Sequence, residues 1–319
     1  MLKAQEEPLD SKQFHFWLPP KGMTLTTGDG AEAAVAQIPL PLKTEDLSEE
    51  ENPTEKAIGE GLYAYLCRFP ECQHAGEYAR ILQQAYPFLI SDIGSQLILL
   101  DMKGLASDGL KRKATLLRIL IYLEPDNFGL LHKLGRAHYD LALSYSEFSR
   151  IRFQLKEARS WLEKARRADP ADVGNLNVLG QVCYLNGVYH QAKLYWQVAL
   201  DQPTDATQQE ELSEKLVRIA AHNVPAQPLI DSLEQVGQAK EFVAAADYPP
   251  ALAILEQLEA HGDLGRELPN PEFYYLLGLS REHCNDLSGA FESYSTALSL
   301  DQNYAAADRG LERIKTSTL

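Results

Sequence analysis

Two triplets of polar side chains carry the most suggestive chemistry in this chain. His132, Arg136 and Tyr139 stand four and three residues apart, and Asn177, Gln181 and Tyr184 repeat those separations 45 residues later. Such spacing puts each triplet on one face of a helix. A cation, amides and two phenols suit the holding of extended peptide backbone or an acidic side chain. Bond-making chemistry is not indicated. No H-E-x-x-H, P-loop, nucleophile elbow or glycine-rich dinucleotide turn occurs, and the eight histidines are dispersed. No catalytic residue or cofactor is therefore expected, and the chain reads as a non-enzyme. Cys67, Cys72 and His74 could offer three ligands to zinc, but the spacing is not that of a finger and a fourth ligand is missing. A loop with half-buried thiols explains them, and no metal site is expected.

One further stretch is strongly charged. Arg150, Arg152, Lys156, Arg159, Lys164, Arg166 and Arg167 form the most basic run, with Arg152, Lys156 and Arg159 as a candidate face for an acidic partner. Interleaved Glu147, Glu157 and Glu163 would neutralise much of it through weak ion pairs. Across the whole chain, 45 acidic against 30 basic residues leave a net charge of −15, which opposes general attraction to nucleic acid or an anionic membrane. The four cysteines are too few for a disulfide scaffold. No apolar stretch approaches the length of a membrane span, so the expected location is the cytoplasm and no membrane insertion is expected.

The elements that must position the triplets are helices in pairs. Leu176, Leu179, Gly180 and Cys183 mark a first helix, and Gly187, Ala192, Trp196 and Ala199 mark a turn and a second one. The same marks return at Tyr274, Leu277, Gly278, Ala290, Tyr294 and Ala297, where Arg281 and Gln302 depart from the usual residues. These residues resemble the tetratricopeptide repeat, in which small residues let two helices approach and larger ones fill the space between pairs. Weaker units are in phase around them. One starts from Gly94 with Leu97, Leu100, Leu117 and Pro125, one from Phe128, and one from Ser232. In the second of these, Ala158, Leu162 and Ala165 come eleven residues late. Eleven residues make about three turns, so both helices can lengthen without rotating their apolar faces, with a turn near Ser144 to Ser149.

The expected fold is therefore all-α, a right-handed superhelical solenoid of antiparallel helix pairs with a largely irregular N-terminal tail. Residues 1–52 read as a proline-rich, acidic tail, disordered or docked, in which Phe14, Phe16 and Trp17 concentrate apolar rings. Those rings either dock on the protein's own helices or serve as a linear motif for a partner. Residues 53–93 read as an atypical cap, starting at Asn52-Pro53-Thr54-Glu55, with a second helix from Gln73 to Ile90. Residues 94–222 form a first array closed by a lone helix from Asp205 to Ala221, and residues 229–319 form a second.

The resemblance implies that first helices line a concave side. The groove residues would then be His132, Arg136, Tyr139, Asn177, Gln181 and Tyr184, with Tyr275 and Leu279 at the equivalent places of the second array. The carboxylate clamp known from some repeats of this kind finds no matching set of residues here. The implied function is a non-enzymatic adaptor or scaffold for a protein or peptide partner. A chaperone that holds unfolded clients, and an enzyme subunit with unrecognised chemistry near the N-terminus, are the competing readings.

Overall fold

The computed structural model describes residues 13–28, 30–46, 52–102, 106–203 and 205–317, and helices dominate them. The chain divides into two compact units, 1–137 and 138–319.

The first unit begins with strands where the sequence reads as an irregular tail. Strand β1 (Phe14–Trp17) pairs antiparallel with β4 (Leu40–Lys43), and β2 (Thr24–Thr26) pairs with β3 (Glu32–Ala34). The parts of the tail reading that concern residues 1–12, 29 and 47–51 lie outside the described residues. Two features hold the outer hairpin down. Phe14 meets Tyr65 and Phe69 edge-on, with ring centroids 5.2 and 6.3 Å apart, and Phe16 meets Tyr65 at 5.4 Å. Beneath them, helix α1 (Glu55–Arg68) carries Gly61, where a methyl group would lie 3.0 Å from the Leu42 Cα, so β4 can lie directly on the helix. The aromatic residues of the tail thus dock on the protein's own helix, while Trp17 is half-buried.

Helix α1 starts two residues later than the Asn52-Pro53 signal suggests. Thr54 is the cap, and its hydroxyl accepts from the Ala57 amide at 3.2 Å. Helix α2 (Ala75–Ala85) ends at Tyr86, and Pro87 opens α3 (Pro87–Asp101), because proline lacks the donor that a continuing helix would need. The single helix expected from Gln73 to Ile90 is therefore two, and Gly94, expected to open an array, lies inside α3. Helix α4 (Ser107–Leu123) and α5 (Phe128–Ala142) follow, the latter crossing the boundary between units.

In the second unit the turn at Ser144–Ser149 is a 3-10 segment, Tyr145–Arg150, followed by α6 (Ile151–Ala168). Then come α7 (Val173–Leu185), α8 (Tyr189–Leu200) and α9 (Ala206–Ala220). Asp172 and Asp205 cap α7 and α9 through bonds from the Asn175 and Gln208 amides, at 2.7 and 2.8 Å. Fully buried Asn175 ties α7 to α6 by donating to the Leu162 carbonyl at 3.0 Å. The repeat marks have the contact role that their types imply: a side chain at Gly180 would collide with the Trp196 indole, and one at Gly278 would come within 2.7 Å of the Tyr294 ring.

Helices α10 (Leu229–Ala244), α11 (Tyr248–His261), the short α12 (Asp263–Glu267), α13 (Pro271–His283), α14 (Leu287–Leu300) and α15 (Ala305–Ser317) complete the unit. The break at 223–228 lies within this unit. One continuous apolar core runs from Phe148, Ile151 and Leu155 through Val182 and Leu185 to Leu229, Leu233, Val236 and Leu277. The connection itself is anchored. The Tyr189 hydroxyl donates to the Pro225 carbonyl at 2.9 Å, and Gly187, at φ 72°, leaves room for Pro228. The eleven surplus residues explain the anchoring: they present Phe148 to α10, where Gly237 lets the two backbones approach so closely that a methyl group would lie 3.0 Å from Phe148.

Candidate functional site

The second unit contains a pocket of about 200 Å3 between the end of α5, α7, α9 and the start of α10. Tyr139, Gln181, Tyr184 and Leu185 form one side, and Trp196, Lys215 and Arg218 another. Leu229, Glu267 and Leu268 complete it.

Its polar wall is an ion cluster around Glu267, whose side chain is only 5% exposed. Arg218 pairs with this carboxylate, Arg266 approaches it at 3.0 Å, and the Tyr184 hydroxyl donates to it at 3.1 Å. A buried carboxylate is tolerated only when so surrounded. Burial opposes the charge on Arg218, yet the hydrogen bond and charge of Glu267 outweigh it and raise the guanidinium above its ordinary value. Burial, and then the neighbouring Glu267 charge, push the Tyr184 phenol well up, so it stays a neutral donor.

The aromatic wall is held from behind. Trp196 donates from its indole nitrogen to the Asn177 carbonyl at 3.2 Å, and the Tyr184 ring lies 5.8 Å from Trp196 and 5.1 Å from Tyr189. Lys215 reaches over Trp196, its amine 5.3 Å from the ring, and bonds Asn177 Oδ1 at 3.4 Å while pairing with Glu211. Gln181 donates to the same Asn177 oxygen at 3.5 Å. The result is an apolar floor of leucines and ring faces, with a lysine and an amide at the rim.

The expected groove residues separate into three places. Tyr139, Gln181 and Tyr184 line the pocket, and Asn177 braces its rim. His132 stacks on Phe128 within α5, and Arg136 is exposed; both belong to the first unit. Tyr275 and Leu279 pack instead into the C-terminal core with Tyr294, and Tyr275 also meets Tyr304 at 5.8 Å. The basic run likewise has other partners. Arg152 bonds Asp231 and Glu234 of α10 at 2.6 and 2.9 Å, and Arg159 bonds Gln191 at 2.8 Å, so a continuous cationic face is not formed; Lys156 is exposed. Glu147, expected at the surface, is buried and accepts from Gln154 at 3.5 Å. Burial raises the Cys67 and Cys72 thiols, and no group of three or more metal-ligating residues gathers among the described residues.

Sequence reasoning missed Lys215, Arg218, Glu267 and Leu268. The three on α9 and α12 lie outside the two first helices on which the triplets stand. The available signal was the surplus of residues between Leu258 and Pro271, which exceeds the repeat and forms α12.

The architecture is that of an all-α protein built of repeated helix pairs, with a pocket between several of the helices. No family model and no curated protein matches the chain. Among solved structures, a tetratricopeptide repeat protein from Parabacteroides merdae ATCC 43184 is similar at 14% identity and a TM-score of 0.24, over 71% of this chain and 98% of that one. So loose a superposition adds nothing to the helix pairing described above. No helix of the described residues is long and apolar enough to cross a membrane.

Proposed function

We propose that this protein is a non-enzymatic interaction module of tetratricopeptide type, which seats one apolar side chain of a partner's extended segment in the pocket beside Tyr184 and Trp196. The observation that carries the reading is the convergence of two aromatic faces, buried leucines and the Lys215 and Gln181 side chains on one cavity large enough for a single side chain. The rim cation favours a segment with an acidic residue next to the apolar one. The four free cysteines suit a reducing compartment, and we place the protein in the cytoplasm.

Peptides selected from a random library on the folded full-length chain provide the test. The bound sequences should pair a large apolar residue with Asp or Glu. Lys215→Glu combined with Gln181→Ala should weaken them by about 1–3 kcal/mol while the unfolding midpoint moves little. Selected peptides that bind the double variant as tightly as the parent would place recognition elsewhere.

A further inference from the structure

The C-terminal helix pair is the central pair with its groove already filled, and the filling is a guide to what the open pocket is shaped to take. Val173 and Pro271 open the two first helices and Leu185 and His283 end them, so at the same offset Trp196 matches Tyr294 and Lys215 matches Arg313. On the first-helix face beside the pocket, Asn177, Gln181 and Tyr184 stand where the C-terminal pair has Tyr275, Leu279 and Glu282. The filled groove holds a ring and a carboxylate. The Tyr275 ring lies 5.9 Å from Tyr294, tilted by 33°, and Leu279 packs into the same cluster. Glu282, with its side chain 16% exposed, accepts from Arg313 at 2.9 and 2.8 Å and from the Tyr294 hydroxyl at 2.6 Å.

The central pair keeps the receiving groups but not the groups received. Trp196 stands for Tyr294 and Lys215 for Arg313, with the lysine amine 5.3 Å from the indole ring. The short Asn177 side chain replaces the Tyr275 ring, and Tyr184, whose hydroxyl is bonded to Glu267, replaces Glu282. Helix α7 carries no acidic residue at all, so Lys215 pairs with Glu211 one turn away on its own helix. That carboxylate is 49% exposed, and such a pair yields readily to a better-placed anion. We infer, on the reading that this pocket seats one partner side chain, that the seated side chain is aromatic and is flanked by a carboxylate. The ring lies against Trp196 as Tyr275 lies against Tyr294, and the carboxylate takes Lys215 from Glu211 as Glu282 takes Arg313.

The walls favour a ring over a branched aliphatic chain. Trp196 and Tyr184 are 5.8 Å apart and tilted by 39°, so a third ring can meet them offset or edge-on and also face the Lys215 amine, gains that an aliphatic side chain forgoes. The Gln181 amide supplies a second donor at the rim, since its bond to Asn177 Oδ1 is long at 3.5 Å. The net charge of −15 does not bar an acidic segment. Exposed charges are screened beyond about 8 Å at physiological ionic strength, whereas Lys215 acts at contact.

Three capped peptides, Gly-Glu-Tyr-Glu-Gly, Gly-Glu-Leu-Glu-Gly and Gly-Gln-Tyr-Gln-Gly, test this when titrated into the full chain and followed on the Trp196 indole N–H resonance. The first should bind about fivefold more tightly than the second and about threefold or more above the third. Lys215→Gln should keep the melting temperature and erase the advantage of the first peptide over the third. Asn177→Tyr combined with Gln181→Leu should fill the groove from within and abolish the Trp196 shift for all three, with the helical spectrum kept. A leucine peptide bound as tightly as its tyrosine counterpart would overturn the aromatic assignment while a seated side chain stands. A glutamine peptide bound as tightly as the first, or a preference for Glu that survives Lys215→Gln, would overturn the carboxylate. A Trp196 resonance unmoved by all three would overturn the inference together with the pocket reading beneath it.

Discussion

The central helix pair and the C-terminal pair are the same unit at a constant offset, and they end differently. Gly180 faces Trp196 as Gly278 faces Tyr294, and the closing helices α9 and α15 stand at matching places. In α9 the matching position is Leu212, fully buried among Trp196, Ala192 and Cys183. In α15 it is Gly310, where a methyl group would lie 2.6 Å from the Tyr294 ring, so α15 rests on that ring. The next matched pair is Lys215 and Arg313. Lys215 stops above Trp196, whereas Arg313 bonds Glu282 at 2.9 and 2.8 Å and approaches the Tyr294 hydroxyl at 3.4 Å. Glu282 stands where the central unit has Tyr184. The C-terminal unit thus supplies its own counter-charge and fills its groove with Tyr275 and Tyr304. The central unit pairs Lys215 with Glu211 of its own α9, brings Glu267 of α12 from outside the pair to Arg218, and keeps a pocket. Bulk at one cap position and the origin of one carboxylate separate a filled unit from an open one.

The largest expected effect tests the borrowed carboxylate. Glu267→Ala leaves Arg218, Arg266 and the Tyr184 hydroxyl without their common partner, and urea unfolding should show a loss of about 2–4 kcal/mol. A loss below about 0.5 kcal/mol would mean that the pocket wall stands without it. Next, Gly310→Ala forces a methyl group into the Tyr294 ring and should cost about 1–3 kcal/mol, with the indole emission of Trp196 in the open unit unaltered. An equal loss on placing Ala at Gly94, a helical glycine with open space where its methyl group would go, would remove the special role of the α15 contact.

The smallest effect is a pH dependence confined to the filled unit. Burial would raise the Glu282 pKa, but hydrogen bonds from Arg313 and Tyr294 overcome it and hold the carboxyl below its ordinary 4.5. A lowered folded-state value means that the stabilisation is fully present above the unfolded value and is lost as pH falls through the folded one. Parent and Glu282→Gln should therefore differ by about 1 kcal/mol at pH 7, and thermal melts should draw together as the pH falls below the ordinary 4.5. A gap that persists undiminished in acid would show that Glu282 acts through packing alone.

Much of the fold was legible because its signals are local. Gly180 with Trp196 and Gly278 with Tyr294 are separated within one helix pair, and the periodicity that marks them is also the contact that makes the pair. The turn at Ser144–Ser149 followed from counting residues, since eleven preserve helical phase. The hairpins were not legible. Strands of three and four residues are too short for alternation to show, and Pro41 inside β4 argues against a strand until its edge position is known. Half of the site shows the same division. Tyr139, Gln181 and Tyr184 follow from spacing on predicted helices, whereas Glu267 meets Tyr184 from 83 residues away through tertiary packing that no local pattern encodes.

The seat that Phe148 makes for Gly237 has a consequence for biosynthesis. A simple repeat array can settle pair by pair as it emerges, because each pair needs only its neighbour. Here the seat waits for a helix about 90 residues downstream. At translation speeds of roughly 5–20 residues per second, Phe148 and the adjacent face of α6 stay uncovered for roughly 5–20 s on every ribosome, a window in which a holding factor could bind before α10 arrives.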